Sequence, residues 1–190
     1  FFMPIKHSKR ASWKYSVCFN VRRTIPTLTN LKEYAMSGTL RELLIGTWQL
    51  QSYTETAVGE SQASYPLGDD AQGTILYAPD GYMAAQLMRQ GRKAFSGGDL
   101  YQASAEEFRD AASAYLSYSG PYHVDEQRGL LSHCVELSLF PNWIGQVQQR
   151  VARLDGDTLH LSTYKPMLAR GREVIAHLRW KRATVPIGYA

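Results

Sequence analysis

The sequence predicts a mainly β protein: an eight-stranded, up-and-down antiparallel barrel with one helix inserted around residues 104–117. Three observations point there. Short segments with strand-like alternation follow one another in order. The turns between them are short, such as "PDG" (79–81), "DEQRG" (125–129) and "DGD" (155–157). One stretch alone in the body has a convincing helical period. Each strand must bury one face and hide its edges, and closing a barrel does both.

The elements are justified in chain order. "LRELLIG" from Leu40 reads as a short helical turn. In "TWQLQSYTE", Trp48, Leu50 and Ser52 alternate with Gln49, Gln51 and Tyr53, which is strand period. Residues 55–71 are polar, carry Gly59, Pro66 and Gly68, and read as a loop. "GTILYA" (73–78) and "YMAAQLMR" (82–89) form a hairpin across the Pro and Gly of "PDG". "RQGRKAFSGGD" is a loop. In "SAEEFRDAASAYLSY", Ser104 caps a helix whose first turn holds Glu106 and Glu107. Phe108, Ala111, Ala112, Tyr115 and Leu116 supply its apolar stripe. Five strands are expected after it, near 118–124, 130–139, 145–154, 158–163 and 173–181.

Composition sets the class. The chain has 190 residues, 44% hydrophobic and 20% charged, enough for one globular domain. The formal net charge of +4 is unevenly placed. Residues 1–35 carry seven basic groups against Glu33, and the remainder holds 14 basic and 16 acidic groups. The body therefore has no basic surface arguing for nucleic acid. Residues 1–36 are expected to be a basic, disordered extension, with "MSGTLRELLIGTW" at Met36 resembling a protein start. The same composition fits an organellar targeting segment or a nucleic-acid-binding arm, so these readings stay beside the first. The folded domain is expected over residues 40–183. No apolar run is long enough for a membrane helix. Cys18 and Cys134 are far apart and suggest no disulfide framework, which favours a cytoplasmic setting unless residues 1–35 direct the chain to an organelle.

Several chemistries lack their motifs. There is no glycine-rich phosphate loop and no Gly-x-Ser-x-Gly elbow. His123 and His133 are ten residues apart across a turn, and no metal-ligand spacing occurs. Neither a metal nor a cofactor is expected; only His133 speaks for a haem.

"LLIGTWQLQSY" (43–53) is similar to the Gly-x-Trp opening strand of the lipocalin and related calycin barrels. With "YPLGDDAQGTILYAPDGYMAAQLMR" (65–89), "YSGPYHVDE" (118–126) and "HCVELSLFPNWIGQVQQR" (133–150), the chain resembles the lipocalin-like domain family of bacteria and fungi. The resemblance runs from about Leu43 to Arg182. It implies a small barrel with a cavity for an apolar molecule. It also implies a setting among natural-product pathway proteins, where some such barrels act as cofactor-free isomerases or cyclases.

Alternation then sorts candidate residues. Leu131, His133, Val135 and Leu137 should face the interior, with Ser132, Cys134, Glu136 and Ser138 outside. A row of Tyr118, Gly120, Tyr122 and Val124 is expected inside, as is one of Val147, Gln149 and Val151. His133 is the candidate general acid or base, with Tyr118 and Tyr122 polarising a carbonyl. Trp48 is expected to close one barrel end with an arginine stacked on it. Phe140 and Trp143 of "FPNW" should cover an end, and Arg89 should anchor an acidic ligand at the rim. Tyr77, Gln86 and Gln149 complete the expected ligand contacts, with Glu136 retained through the resemblance. The function expected is binding of a small hydrophobic, carbonyl-bearing molecule, with isomerisation or cyclisation in polyketide or terpenoid biosynthesis. A non-catalytic carrier is the alternative, and a filled structural barrel a third. A homodimer stays open.

Overall fold

The computed structural model describes residues 38–99 and 101–184; the expectations for the N-terminal extension lie outside these. The body opens with helix α1 (Leu40–Leu44), whose Thr39 and Glu42 form a reciprocal capping box. The strands are β1 (Gly46–Ala57), β2 (Ala63–Ser64), β3 (Gln72–Tyr77) and β4 (Tyr82–Met88), then, after helix α2 (Ala105–Ser113), β5 (Tyr115–Asp125) and β6 (Leu130–Cys134). There follow β7 (Leu137–Ser138), β8 (Val147–Asp155), β9 (Thr158–Thr163), β10 (Met167–Ala169) and β11 (Arg172–Arg182).

Eight of these, β1, β3, β4, β5, β6, β8, β9 and β11, are antiparallel neighbours, and β11 pairs back onto β1 to close the barrel. Three short strands (β2, β7 and β10) extend the sheet beyond the closed ring. Up-and-down order places α1 and the turns after β3, β5 and β8 at one end. The long connections 58–71, 89–114, 135–146 and 164–171 share the other.

Three expectations are corrected. The helix stops at Ser113, and Tyr115 and Leu116 belong to β5, where they pair with Met88 and Leu87 of β4. Cross-strand pairing outweighs the local helical pattern there. None of α2 is buried; its Phe108 meets Phe95 edge-to-face at 5.5 Å instead of entering the core. The Ser104–Glu107 capping box holds α2 in place, and the amides of Ser96 and Ser104 draw the Glu107 carboxyl down to about 2.

The second correction is on β1. Its register against β11 shifts between Leu50 and Ser52. That bulge moves the inward row from Trp48 and Leu50 to Tyr53 and Glu55, so Ser52 leaves the row predicted for it. The third concerns 130–139. Its ladder breaks at Val135 and Glu136, and β7 resumes against β5 rather than following β8. Leu137, expected inside, is thereby turned to solvent at 69% exposure. Gly120 of β5 makes the jog possible. A Cβ there would collide with the Cys134 carbonyl, so the two strands approach closely only because position 120 has no side chain.

Candidate functional site

The barrel interior contains two different aromatic assemblies. The first lies at the α1 end. Trp48 is wholly buried, and its indole N–H donates to the Leu44 carbonyl at 2.8 Å. The Arg182 guanidinium stacks on the indole, 4.1 Å from its centroid, and donates to the carbonyls of Ile45 and Leu43. The expected end plug is therefore present, with Arg182 as its arginine. Glu126 accepts from the Leu40 and Arg41 amides and fixes the helix beneath it.

The second assembly centres on His133, also fully buried. The Tyr77 hydroxyl lies 3.0 Å from Nε2 and the Tyr118 hydroxyl 3.0 Å from Nδ1. Burial, with the nearby Arg150 charge adding to it, holds the imidazole well below its usual pKa, so it is neutral. A neutral imidazole offers one N–H and one lone pair. One tyrosine thus donates to the ring and the other accepts from it, and both ring nitrogens are satisfied. Burial likewise raises the Tyr77 hydroxyl far above its usual range.

Tyr122 sits nearby without joining that pair of bonds. Its hydroxyl donates to the Ala78 carbonyl at 3.1 Å, its ring packs edge-on to Tyr77 at 5.0 Å, and Arg41 lies over its face. Tyr118 alone of the tyrosines around His133 and Tyr77 reaches a cavity inside the barrel.

That cavity has a volume of about 40 Å³. Trp143, Trp180, Arg150, Tyr53 and the aliphatic side chains of Ile75 and Leu161 bound it together with Tyr118. Trp180 is 1% exposed and its indole N–H has no hydrogen-bond partner. Arg150 is 7% exposed, and its one side-chain hydrogen bond goes to the carbonyl of its neighbour Gln149 at 3.0 Å. The Tyr53 hydroxyl donates to buried Glu55 at 2.6 Å; burial and that carboxylate push its pKa far above the usual tyrosine range.

Other candidates fall elsewhere. Gln149, predicted inside, faces solvent, as do Val147 and Val151. The register decides this: His133 pairs with Gln148, so the even-numbered residues of β8 share its face and Arg150 enters the core. Gln86 is exposed and accepts from the Tyr115 hydroxyl at 2.9 Å. It lines an outer-wall depression of about 440 Å³; another, of about 360 Å³, lies between β8, β9 and β11. Both are larger than the inner cavity, but they lie on the solvent side of the strands. Arg89 is exposed and joins Arg170 in donating to the Pro66 carbonyl, tethering the 58–71 connection at the rim. Glu136 is exposed, as alternation predicted. Trp143, on the 3-10 turn Pro141–Trp143, is half-buried, with its ring edge-to-face with Tyr118 at 5.5 Å and with Phe140 at 5.8 Å.

Sequence reasoning missed Tyr53, Glu55, Arg150 and Trp180. Trp180 could have been found, because it falls in the alternating apolar row of Val174, Ala176 and Leu178; Arg150 could not, because the apolar row of its strand is the other one. Glu55 and Tyr53 depend on the bulge, for which "LQSY" carries no local signal.

A closed antiparallel barrel of eight strands, plugged at one end and holding a polar-edged apolar cavity, belongs among the calycin-like barrels. More narrowly, the chain belongs to the lipocalin-like domain family, which matches residues 45–183. The 4'-hydroxy-3'-methoxypropiophenone carrier protein of Aspergillus oryzae is 37% identical over 106 residues, covering 53% of this chain and 96% of that protein. No solved structure matches the chain. Among the described residues, no helix is long and apolar enough to cross a membrane, and no group of three or more His, Cys, Asp or Glu side chains could hold a metal ion.

Proposed function

We propose that the protein is a carrier that takes a small aromatic ketone into its barrel, in the setting of secondary-metabolite biosynthesis. The observation that supports this best is buried Trp180, whose indole N–H has no partner and which lines a mostly aromatic and aliphatic cavity together with Arg150 and Thr163. A buried donor without an acceptor costs roughly 1–3 kcal/mol, and a ligand oxygen relieves that cost. The related carrier protein from Aspergillus oryzae supports the same class of cargo: its named ligand has a carbonyl, a phenol and a single ring.

The cavity of about 40 Å³ is near the volume of one water, whereas sites for drug-sized ligands run to roughly 300 Å³ or more. Loading therefore requires a wall to move. Trp143 is the side chain suited to this. It sits on a three-residue turn with no buried residue, in the long connection between β6 and β8. Swinging it outward opens the cavity without disturbing the strand ladders.

The test is a titration with 4'-hydroxy-3'-methoxypropiophenone, followed by tryptophan fluorescence. Saturable quenching, with the ketone recovered unchanged, supports the carrier reading. No binding by the wild type or by Trp143→Ala would sink it. A second reading, a cofactor-free isomerase or cyclase, draws on Tyr118, which touches both the cavity and His133 Nδ1. A proton could pass from ligand to imidazole through that phenol, with Tyr77 on the far nitrogen and Tyr122 supporting Tyr77. Turnover to a product of changed structure, lost in His133→Gln and Tyr118→Phe, separates this reading from the first.

A further inference from the structure

The buried guanidinium of Arg150 is the second unmet demand in the same cavity. Burying an arginine is costly unless its charge is paired. Here Arg150 has five donors, one backbone acceptor and no ion pair among the described residues. Its neighbours are accounted for. From β1, Glu55 accepts the Tyr53 hydroxyl and makes no ion pair with Arg150. From β3, β5 and β6 come Tyr77, Tyr118 and His133, bonded to one another. Arg170, next to β10, adds positive potential at Tyr53. From β11, Trp180 offers a further donor and no acceptor. Arg150 and Trp180 thus both line the cavity, and no carboxylate among the described residues forms an ion pair with the cation.

We infer that the barrel binds its ligand as an oxyanion, a phenolate conjugated with a ketone, held by Arg150 and the Trp180 N–H. This rests on the carrier reading of the same cavity and specifies its cargo. A para-acyl group spreads phenolate charge onto the ketone oxygen, so such a phenol is more acidic than tyrosine. Binding then releases one proton from the phenol to the buffer, and no bond other than O–H breaks. The guanidinium and the indole supply charge-assisted donors to the oxygen in a site of low dielectric. A ligand of this class also explains why the barrel keeps an unpaired buried cation.

The probes are 4'-hydroxypropiophenone, which ionises, and 4'-methoxypropiophenone, which does not. Both are titrated into the full chain at about one pH unit below the free phenol's own pKa. The hydroxy ketone is expected to show the red-shifted phenolate absorption on binding and to bind at least roughly tenfold more tightly than the methoxy ketone. Arg150→Met should remove the red shift and that preference while raising the thermal midpoint of the ligand-free protein, since it removes an uncompensated charge. If Arg150→Met does not fold, Arg150→Gln and Trp180→Phe test the same donors. Equal binding of both ketones with a neutral-phenol spectrum overturns the inference and leaves the carrier reading intact. Binding of neither overturns the carrier reading itself.

Discussion

The barrel contains two tryptophan–arginine sets, and they are finished in opposite ways. Trp48 and Arg182 satisfy every need locally: the indole N–H finds the Leu44 carbonyl, the guanidinium finds two carbonyls, and the planes stack. Trp180 and Arg150, around one cavity, leave an indole N–H without an acceptor and a buried charge without an ion pair. The residue types are the same, so composition cannot account for the difference. What differs is how many backbone carbonyls each set reaches: three for Trp48 and Arg182, against the single Gln149 carbonyl for Trp180 and Arg150. At the α1 end, the strand gives way to a helix C-terminus with free carbonyls. The first set stabilises the fold, and the second keeps demands that a ligand can meet.

The sharpest way to break this comparison is Trp48→Ala. It removes a wholly buried ring together with the Arg182 stacking partner, and should cost about 3–5 kcal/mol. At roughly 2–4 °C per kcal/mol, the melting temperature should fall by on the order of 10 °C. Calorimetry checks it. A fall as large on Trp180→Phe, which keeps most of the apolar area, would show that the two sets are not different in kind.

The His133 assembly should give the next largest effect, visible as a pH dependence. Burial keeps the folded-state imidazole neutral. The unfolded imidazole takes up a proton below about pH 6.5. Acidification therefore adds protons to the unfolded state first, and stability falls as pH drops below 6.5, by up to about 1.4 kcal/mol per unit. Denaturant unfolding at pH 7 and pH 5.5 measures the slope. His133→Gln, which can still bond both tyrosines, should flatten it; an unchanged slope would place the titrating group elsewhere.

These contrasts also mark what the sequence makes legible. Barrel closure, the Trp48 plug and the inward placement of Leu131, His133 and Val135, though not of Leu137, follow from alternation and turn spacing, because those signals are local. The Tyr53–Glu55 pair does not, because one extra residue between Leu50 and Ser52 reverses the parity of everything after it. Strand β8 misleads for a related reason. Val147, Gln149 and Val151 look like the apolar row, yet cross-strand register with His133 places Gln148 and Arg150 inside. Apolar content sorts faces only where the buried row lacks charge, and a ligand site is where that condition fails.

Trp143→Ala sharpens the comparison from the cavity side. The ring is half-buried on a short turn, so its loss should cost only about 1–2 kcal/mol, well below Trp48→Ala. Its expected signature is kinetic: faster ligand entry and exit, read by stopped-flow fluorescence, with the Arg150-dependent preference retained.

The smallest effect expected is that of Gln149→Ala. This side chain stands on the outer face of β8, one residue before Arg150, and its backbone carbonyl, not its amide group, holds the guanidinium. Removing the side chain leaves that bond and the cavity wall in place. Stability should change by less than about 0.5 kcal/mol, and ketone affinity by less than about twofold. Isothermal titration is sensitive enough to decide it. A loss of affinity as large as that of Arg150→Met would mean that the odd-numbered face of β8 meets the ligand, and that the register separating the satisfied end from the demanding cavity is not the one the protein uses when loaded.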